Sequence, residues 1–203
     1  MATQVKASPR GFRPPVTVQQ WCELEGPPHY ELVDGNLLEK AAVALWHEIF
    51  LIAFAAYLHT YVTKRKLGVI VTSQGKLKIS DLDGREPDIF FIAIGQYHLI
   101  GQNLFRGIPS LIVEILSPNS ETIDRVEKSE EYANLGVLQY WIIDCPRQRI
   151  EVYVLSATQN GSPEYKLATV VEGKAVFRHD IFPRLKNPLR KAWPTDFVHA
   201  ADE

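Results

Sequence analysis

Two strongly apolar runs of the chain each carry a carboxylate, and this placement limits how the chain can fold. Asp88 opens the run that continues to Ile94, and Glu114 interrupts the run from Leu111 to Leu116. Runs this apolar are typical of strands that are buried on both faces. A carboxylate buried there is costly unless it is paired or binds a metal. The pattern therefore predicts two central, adjacent strands whose carboxylates face a cation.

A lysine follows on the next predicted helix. Lys128 stands four residues after Asp124 and four before Tyr132, so that all three share one helix face. An ordinary exposed Asp–Lys pair is the simpler interpretation of this spacing. The short connection over residues 117–120 favours a functional role instead, because it returns the helix beside the Glu114 strand.

Two carboxylates with a nearby lysine are typical of a site for a hard divalent cation such as Mg²⁺. Such a site suits metal-assisted hydrolysis of a phosphodiester, in which the lysine orients or helps to deprotonate water and stabilises charge on the phosphate. Each carboxylate also has a structural alternative. Asp88 suits a turn at the start of a strand, and Glu114 suits a core ion pair or an edge position.

Composition is that of one globular domain. The chain has 203 residues, 46% of them hydrophobic and 23% charged. The expected division is a flexible arm over residues 1–15, a single domain over 16–195 and a tail over 196–203. The net charge of −2 disfavours a dedicated non-specific DNA binder, so a nucleic-acid surface would be a local patch. The candidate basic residues are Lys64, Arg65, Lys66, Lys76, Lys78, Arg184, Lys186, Arg190 and Lys191, each of which could equally be a solvated surface residue.

The cysteines and the apolar segments bear on localisation. Cys22 and Cys145 lie in no metal-binding spacing and make no disulfide framework, which favours a reduced, cytoplasmic protein. The N-terminus lacks the apolar segment of a signal peptide. The most apolar helical stretch, residues 49–58, is too short to span a bilayer, so no membrane association is expected.

The hydrophobic pattern predicts an α/β fold with a mixed central sheet, flanking helices, and an N-terminal helix and hairpin. The helix begins at Thr17 with a capping box, and Asp34-Gly35 forms the hairpin turn. A helix over residues 41–64 should be buried on more than one side. Residues 96–108 suggest a mobile loop, Gly136 ends the Lys128 helix, and residues 180–194 suggest a proline-rich tail. The remaining predicted strands cover residues 68–72, 76–79, 139–144, 149–155 and 165–171.

Several short motifs, in this order and spacing, resemble the Uma-two type restriction endonucleases, a branch of the PD-(D/E)XK nuclease superfamily. They cover most of the chain, from the hairpin to residue 153. The matching stretches are residues 30–35, His47, 86–89, 113–118, Asp124, Lys128 to Tyr132, 136–144 and 152–153.

The resemblance implies a restriction-endonuclease-like fold and a Mg²⁺- or Mn²⁺-dependent endonuclease. Asp88, Glu114 and the main-chain carbonyl of Ile115 would hold the metal, and Lys128 would be the catalytic lysine. Glu31 and His47 match family positions at the edge of the site. Leu116 departs from the superfamily pattern, because a typical member carries lysine there, and the lysine role then falls to Lys128.

Two other functions fit the same sequence. The acidic pI of about 6.3 suits a non-catalytic nucleic-acid or protein interaction module on a retained nuclease fold. A hydrolase of another phosphate substrate, such as a nucleotide, fits too, because fold alone does not set function. By analogy with restriction-type nucleases, the strands over residues 149–155 and 165–171 predict a homodimer face, and DNA is the predicted substrate.

Overall fold

The computed structural model describes residues 13–117, 120–173, 175–179, 181–188 and 193. Three α-helices and twelve strands are formed within these residues. In chain order they are α1 (Val18–Cys22), β1 (Tyr30–Val33), β2 (Asn36–Glu39), α2 (Leu45–Lys64), β3 (Gly68–Thr72), β4 (Leu77–Lys78), β5 (Gly84–Arg85), β6 (Ile89–Ala93), β7 (Leu111–Ile115), α3 (Lys128–Leu135), β8 (Gln139–Asp144), β9 (Arg149–Ala157), β10 (Pro163–Glu172), β11 (Val176–His179) and β12 (Phe182–Pro188).

The central sheet has six strands in the order β10-β9-β8-β7-β6-β3. Only the β7–β8 pair of this sheet is parallel, because the helical connection between them returns the chain to the same edge. The predicted mixed α/β sheet is therefore confirmed, with β6 and β7 as adjacent inner strands. Asp88 lies one residue before β6, whereas Glu114 lies inside β7.

A second sheet, in the order β2-β1-β5-β4, stands beside the first. Its hairpin has the predicted turn, since Asp34 and Gly35 adopt φ values of 48° and 69°, the positive values that a type I′ turn requires. The capping box before α1 is also confirmed. The Thr17 side chain accepts from the Gln20 N–H, and the Gln20 side chain accepts from the Thr17 N–H.

The two faces of the central sheet bury different layers. Leu111, Val113 and Ile115 of β7 pack with α2, whereas Ile112 packs on the opposite face with Tyr132 of α3. This alternation follows from the two-residue period of a strand. Glu114, between Val113 and Ile115, therefore points to the α3 face of the sheet.

Helix α2 begins at Leu45 rather than at residue 41, and its burial differs from the prediction. Its buried residues follow one stripe at the three- and four-residue spacing of a helix face. They are His47, Phe50, Leu51, Phe54, Ala55, Leu58, Tyr61 and Val62. Leu45 and Ile52 are 77% and 69% exposed, so the prediction of burial on more than one side is wrong. Of the helices in the described chain, none is both long and apolar enough to cross a membrane.

The predicted tail over residues 180–194 is wrong where the structure describes it. Strand β12 lies within this range and pairs with β11. Phe182 is fully buried beside Trp141, and the Trp193 ring stacks on Phe50 with the centroids 4.8 Å apart. Two large aromatic side chains thus fill the core beneath α2, and burial of each stabilises the fold by about 1.5–3 kcal/mol. Residues 1–12 and 194–203, and with them most of the predicted arm and the tail after 195, lie outside the described residues.

The segment over residues 96–108 begins within a 3₁₀ segment, Ile94–Leu99. Phe105 is buried, donates from its N–H to the Lys76 carbonyl and accepts from the Lys78 N–H. The predicted loop is thereby fastened to β4 at one point, and its mobility stays a prediction.

The close approach of β5 to α1 generates a stability prediction. A Cβ atom at Gly84 would lie 2.3 Å from the buried ring of Trp21, whereas a Cβ atom at Gly95 would meet nothing within 4 Å. We expect Gly84→Ala to lower the free energy of unfolding by about 1–3 kcal/mol through overpacking. Gly95→Ala is the matched control and should stay within about 0.5 kcal/mol of wild type in urea unfolding. Equal effects of the two substitutions would contradict this packing.

Candidate active site

Glu114 is the centre of the site and is almost fully buried. Its Oε1 accepts from the Lys128 ammonium at 3.0 Å and from the Tyr132 hydroxyl at 2.9 Å. Its Oε2 faces the main-chain N–H of Asp88 at 3.4 Å. Strand β7 thus places the carboxylate, helix α3 supplies two donors to one of its oxygens, and the other oxygen is turned toward Asp88.

Asp88 occupies the bend immediately before β6. Its Oδ2 accepts from the Ile115 N–H at 2.7 Å and lies 3.1 Å from His47 Nε2. His47 is in the first turn of α2, so the start of this helix reaches the carboxylate directly. The Asp88 side chain keeps 13% exposure, which leaves it accessible from solvent.

Lys128 is enclosed by three carboxylates. Its ammonium lies 3.0 Å from Glu114, 2.9 Å from Asp124 and 3.7 Å from Glu31. A π-helical segment, Ile123–Glu127, precedes α3, and such turns are frequent at functional sites. The predicted shared face of Asp124, Lys128 and Tyr132 is confirmed, since all three are buried on the sheet.

Arg85 completes the site, and the sequence analysis did not identify it. The guanidinium is 1% exposed and donates to Glu31 Oε2 at 2.8 Å, while its Nε donates to Glu131 Oε2 at 2.8 Å. An arginine next to a turn glycine is typical of a surface residue, so the pattern gave no signal for it. The one available signal was Glu131, because a carboxylate three residues after Lys128 lies close to the same helix face and calls for a cationic partner.

Burial and neighbouring charge act in opposite directions on the two central carboxylates. Burial, with the charges of Asp88, Asp124 and Glu31, raises the pKa of Glu114 to about 8, although Lys128 opposes this. Burial alone would also raise the pKa of Asp88. The hydrogen bond and charge of His47 and the Ile115 N–H outweigh burial and hold that pKa below its ordinary value.

Neighbouring carboxylates favour the charged forms of the two basic groups beside them. Burial disfavours the Lys128 ammonium, but Glu114, Glu31 and Asp124 raise its pKa well above the ordinary value. Burial likewise opposes charge on His47, yet the hydrogen bond and charge of Asp88 raise the pKa of the imidazole. Lys128 is therefore a fixed positive charge in this arrangement.

The donor atoms at the site are of the kind that a divalent cation binds. Five carboxylates, those of Glu31, Asp88, Glu114, Asp124 and Glu131, share two permanent cations and one histidine. The site therefore carries excess negative charge, and carboxylate oxygens are the ligands that Mg²⁺ prefers. No group of three or more His, Cys, Asp or Glu side chains is arranged to hold a metal among the described residues, so a main-chain carbonyl or water would have to complete the set.

The structure also shows where Leu116 and the candidate basic residues lie. Leu116 is buried in the apolar layer with Tyr132, so this position contributes no polar group to the site. Lys76 donates to the carbonyls of Trp21 and Leu24 at 3.0 and 2.6 Å, which removes it from the candidate basic surface. Lys64, Arg65 and Lys66 remain exposed at the end of α2, whereas the side chains of Arg184, Lys186, Arg190 and Lys191 lie outside the described part of the chain.

Acid stability tests the Glu31 contacts. Burial opposes its charge, but Lys128, Arg85 and Lys40 lower the pKa of Glu31 from 4.5 to about 2. Because the pKa of Glu31 is lower in the folded than in the unfolded protein, its charge stabilises the fold above pH 4.5 by roughly 3 kcal/mol, at about 1.4 kcal/mol per pKa unit. This stabilisation is lost as the pH falls from 4.5 toward 2. We therefore expect Glu31→Gln to be less stable at pH 7 and to lose less stability over this interval, as measured by urea unfolding at successive pH values. Glu39→Gln, at the exposed end of the neighbouring strand β2, should keep the wild-type pH dependence. Glu31→Gln would keep it too if these contacts were absent.

Comparison with known proteins identifies the fold and the family of this chain. A crystal structure from Anabaena variabilis, titled as a putative nuclease belonging to DUF820, matches with a TM-score of 0.70 at 18% identity over 88% of this chain and 98% of that one. At this identity the match shows a shared fold. No curated protein matches the sequence. The family model described as "Putative restriction endonuclease" matches residues 15–190, and the chain therefore belongs to the Uma2 family.

Proposed function

We propose that this protein is a Mg²⁺-dependent endonuclease that hydrolyses phosphodiester bonds in DNA. The observation that carries the proposal is the meeting of Asp88 and Glu114 from adjacent strands, with the Lys128 ammonium 3.0 Å from Glu114. Family membership and the shared fold support a nuclease function. Asp88, Glu114 and the main-chain carbonyl of Ile115 would hold the metal, with Mn²⁺ as a substitute for Mg²⁺.

A divalent cation bound there would polarise the phosphate and lower the pKa of the attacking water. The excess of carboxylates supports this assignment, because such a cation would offset their mutual repulsion. The Ile115 N–H and His47 both contact one oxygen of Asp88, and they would orient the carboxylate toward the metal.

Lys128 acts in this proposal as a positive charge rather than as a proton acceptor. Three carboxylates within 3.7 Å keep its ammonium protonated. A fixed ammonium beside the metal ligands would stabilise the negative charge that develops on the phosphate. Glu31 contacts Lys128, and His47 contacts Asp88. Both are candidate catalytic residues in this proposal, and each would act through the residue that it contacts.

Substitution of the two carboxylates tests the function. Asp88→Asn and Glu114→Gln keep the side-chain shapes but remove the charges that would bind the cation. We expect each variant to lose at least about a hundredfold in Mg²⁺-dependent cleavage of supercoiled plasmid DNA, and to lose calorimetric binding of Mg²⁺ and Mn²⁺. Urea unfolding of each variant would show that the fold is retained.

Glu130→Gln is the matched control, since Glu130 is exposed on α3 and should cleave and bind as wild type does. Unchanged cleavage in both Asp88→Asn and Glu114→Gln would overturn the assignment. Salt-sensitive DNA binding without metal binding by the wild type would instead support a non-catalytic interaction module. Metal-dependent hydrolysis of free nucleotides, with plasmid left intact, would support a different phosphate substrate.

The outermost strands support a proposed homodimer. Strand β10 is at the edge of the central sheet, and Leu167 on it is 51% exposed. An exposed edge strand with an apolar side chain is a ready surface for association with a second copy. We expect light scattering to give twice the monomer mass of 23.0 kDa, and Leu167→Lys to shift the protein toward monomer. A wild-type monomer at micromolar concentration would refute the dimer.

A further inference from the structure

A cavity of about 380 Å³ lies beside the site, and none of the candidate catalytic or metal-binding residues lines it. Its volume falls in the range of roughly 300–1,000 Å³ that is typical of small-molecule sites. Phe90 and Phe105, whose rings stack with centroids 6.1 Å apart, contribute to its lining. Residues 100–105 of the loop before β7 form another part of the wall. Both phenylalanines are almost fully buried, at 1% and 3% exposure, so their rings form an apolar wall of the cavity.

Glu86 also lines this cavity, and one oxygen of its carboxylate lacks a hydrogen bond among the described residues. The residue is 2% exposed, and its Oε2 accepts no hydrogen bond from any residue in the described ranges. The Lys40 ammonium lies 3.7 Å from this oxygen and donates instead to the main-chain carbonyl of Glu86 at 2.8 Å. A buried acceptor without a donor is destabilising, and a donor on a ligand in this cavity would satisfy it.

The other cation at the cavity is already engaged. Lys76 lines the cavity, but its ammonium donates to the main-chain carbonyls of Trp21, Cys22 and Leu24. Other polar side chains also line the cavity, namely those of Glu25, His29, Gln74, Gln102 and Asn103. An uncharged ligand with N–H donors fits this surface better than an anion would.

The cavity adjoins the proposed metal ligands. Glu86 stands two residues before Asp88, and two residues of extended chain span at most about 7 Å. The Glu86 N–H also faces Glu31 Oε1 at 3.4 Å, and Glu31 contacts Lys128. A nucleotide next to a phosphate at the site would therefore be within reach of the cavity.

We propose that the cavity binds a nucleobase that has left the base stack, and that this base is guanine. Guanine presents two adjacent donors, N1–H and the N2 amino group, and a carboxylate accepts both when its two oxygens face them. Rotation about the last bond of Glu86 is soft, so it would present both oxygens to such an edge. The stacked phenylalanines would contact the base, as apolar walls do around extruded bases. The proposal rests on the proposed nuclease function and adds a specificity-determining residue to it.

Binding without metal separates this proposal from the cleavage reaction. The probe is a fluorescein-labelled single-stranded DNA of five nucleotides, thymines with one central guanine, titrated by anisotropy in EDTA. A second probe carries hypoxanthine, which lacks only the N2 amino group. We expect wild type to bind the guanine probe about ten- to a hundredfold more tightly, the scale of one hydrogen bond to a charged group. Glu86→Gln should reduce this ratio to about one.

Two more variants make the result decisive. Glu23→Gln removes an exposed charge near α1 that does not line the cavity, and it should keep the wild-type ratio. Asn103→Trp fills the cavity from an exposed loop position. It should weaken binding of the guanine probe while Glu86 itself is unchanged.

Equal binding of the guanine and hypoxanthine probes by wild type, or the absence of binding to either, would overturn the proposal. An unchanged ratio in Glu86→Gln would overturn it too. Plasmid cleavage that needs Mg²⁺ but shows no guanine preference would refute the cavity and leave the nuclease assignment intact. A guanine preference without any metal-dependent cleavage would support the base site in the cavity and refute the nuclease assignment.

Discussion

The contact between the Lys128 ammonium and the buried Glu114 carboxylate is the interaction on which the rest of this site depends. It joins the central strand β7 to the helix α3 that follows it, with Lys128 Nζ 3.0 Å from Glu114 Oε1. Loss of Lys128 would take away the one cation that pairs with Glu114 and Asp124 among the described residues, and breaking a buried ion pair in this way typically costs about 3–5 kcal/mol. The parallel β7–β8 pair requires a crossover between these strands, and that crossover is what carries Lys128 to the carboxylate.

The second sheet takes part in the same network. Glu31 on β1 contacts Lys128, and Arg85 on β5 links Glu31 to Glu131 on α3. The hairpin is thereby coupled to the central sheet through ion pairs inside the protein rather than through strand pairing. Because these ion pairs join residues of both sheets through α3, the charges that shape the site also hold the two sheets together.

Local sequence patterns predicted most of the elements. The Asp34-Gly35 turn, the Thr17 capping box and the Gly136 helix stop depend on a few neighbouring residues, and the structure has all three. The predicted tail was wrong because Phe182 and Trp193 bury their rings against residues distant in sequence. The second burial side expected for α2 was wrong for a related reason. An apolar residue can remain exposed, as Ile52 does, so composition alone does not show which side is covered.

By itself, the sequence determined the α/β class, the order of its main elements, and the choice of Asp88, Glu114 and Lys128 as residues that belong together. These follow from periodicity and from the cost of a carboxylate in an apolar run, both of which are local properties. Only the tertiary structure decided that Arg85 is buried between Glu31 and Glu131 and that His47 reaches Asp88. It also decided that Glu86 lines a cavity with one oxygen that accepts no hydrogen bond from the described residues. Each of these joins residues more than thirty positions apart or depends on the space between elements, and the burial that sets their charge states exists only once the sheets and helices have packed.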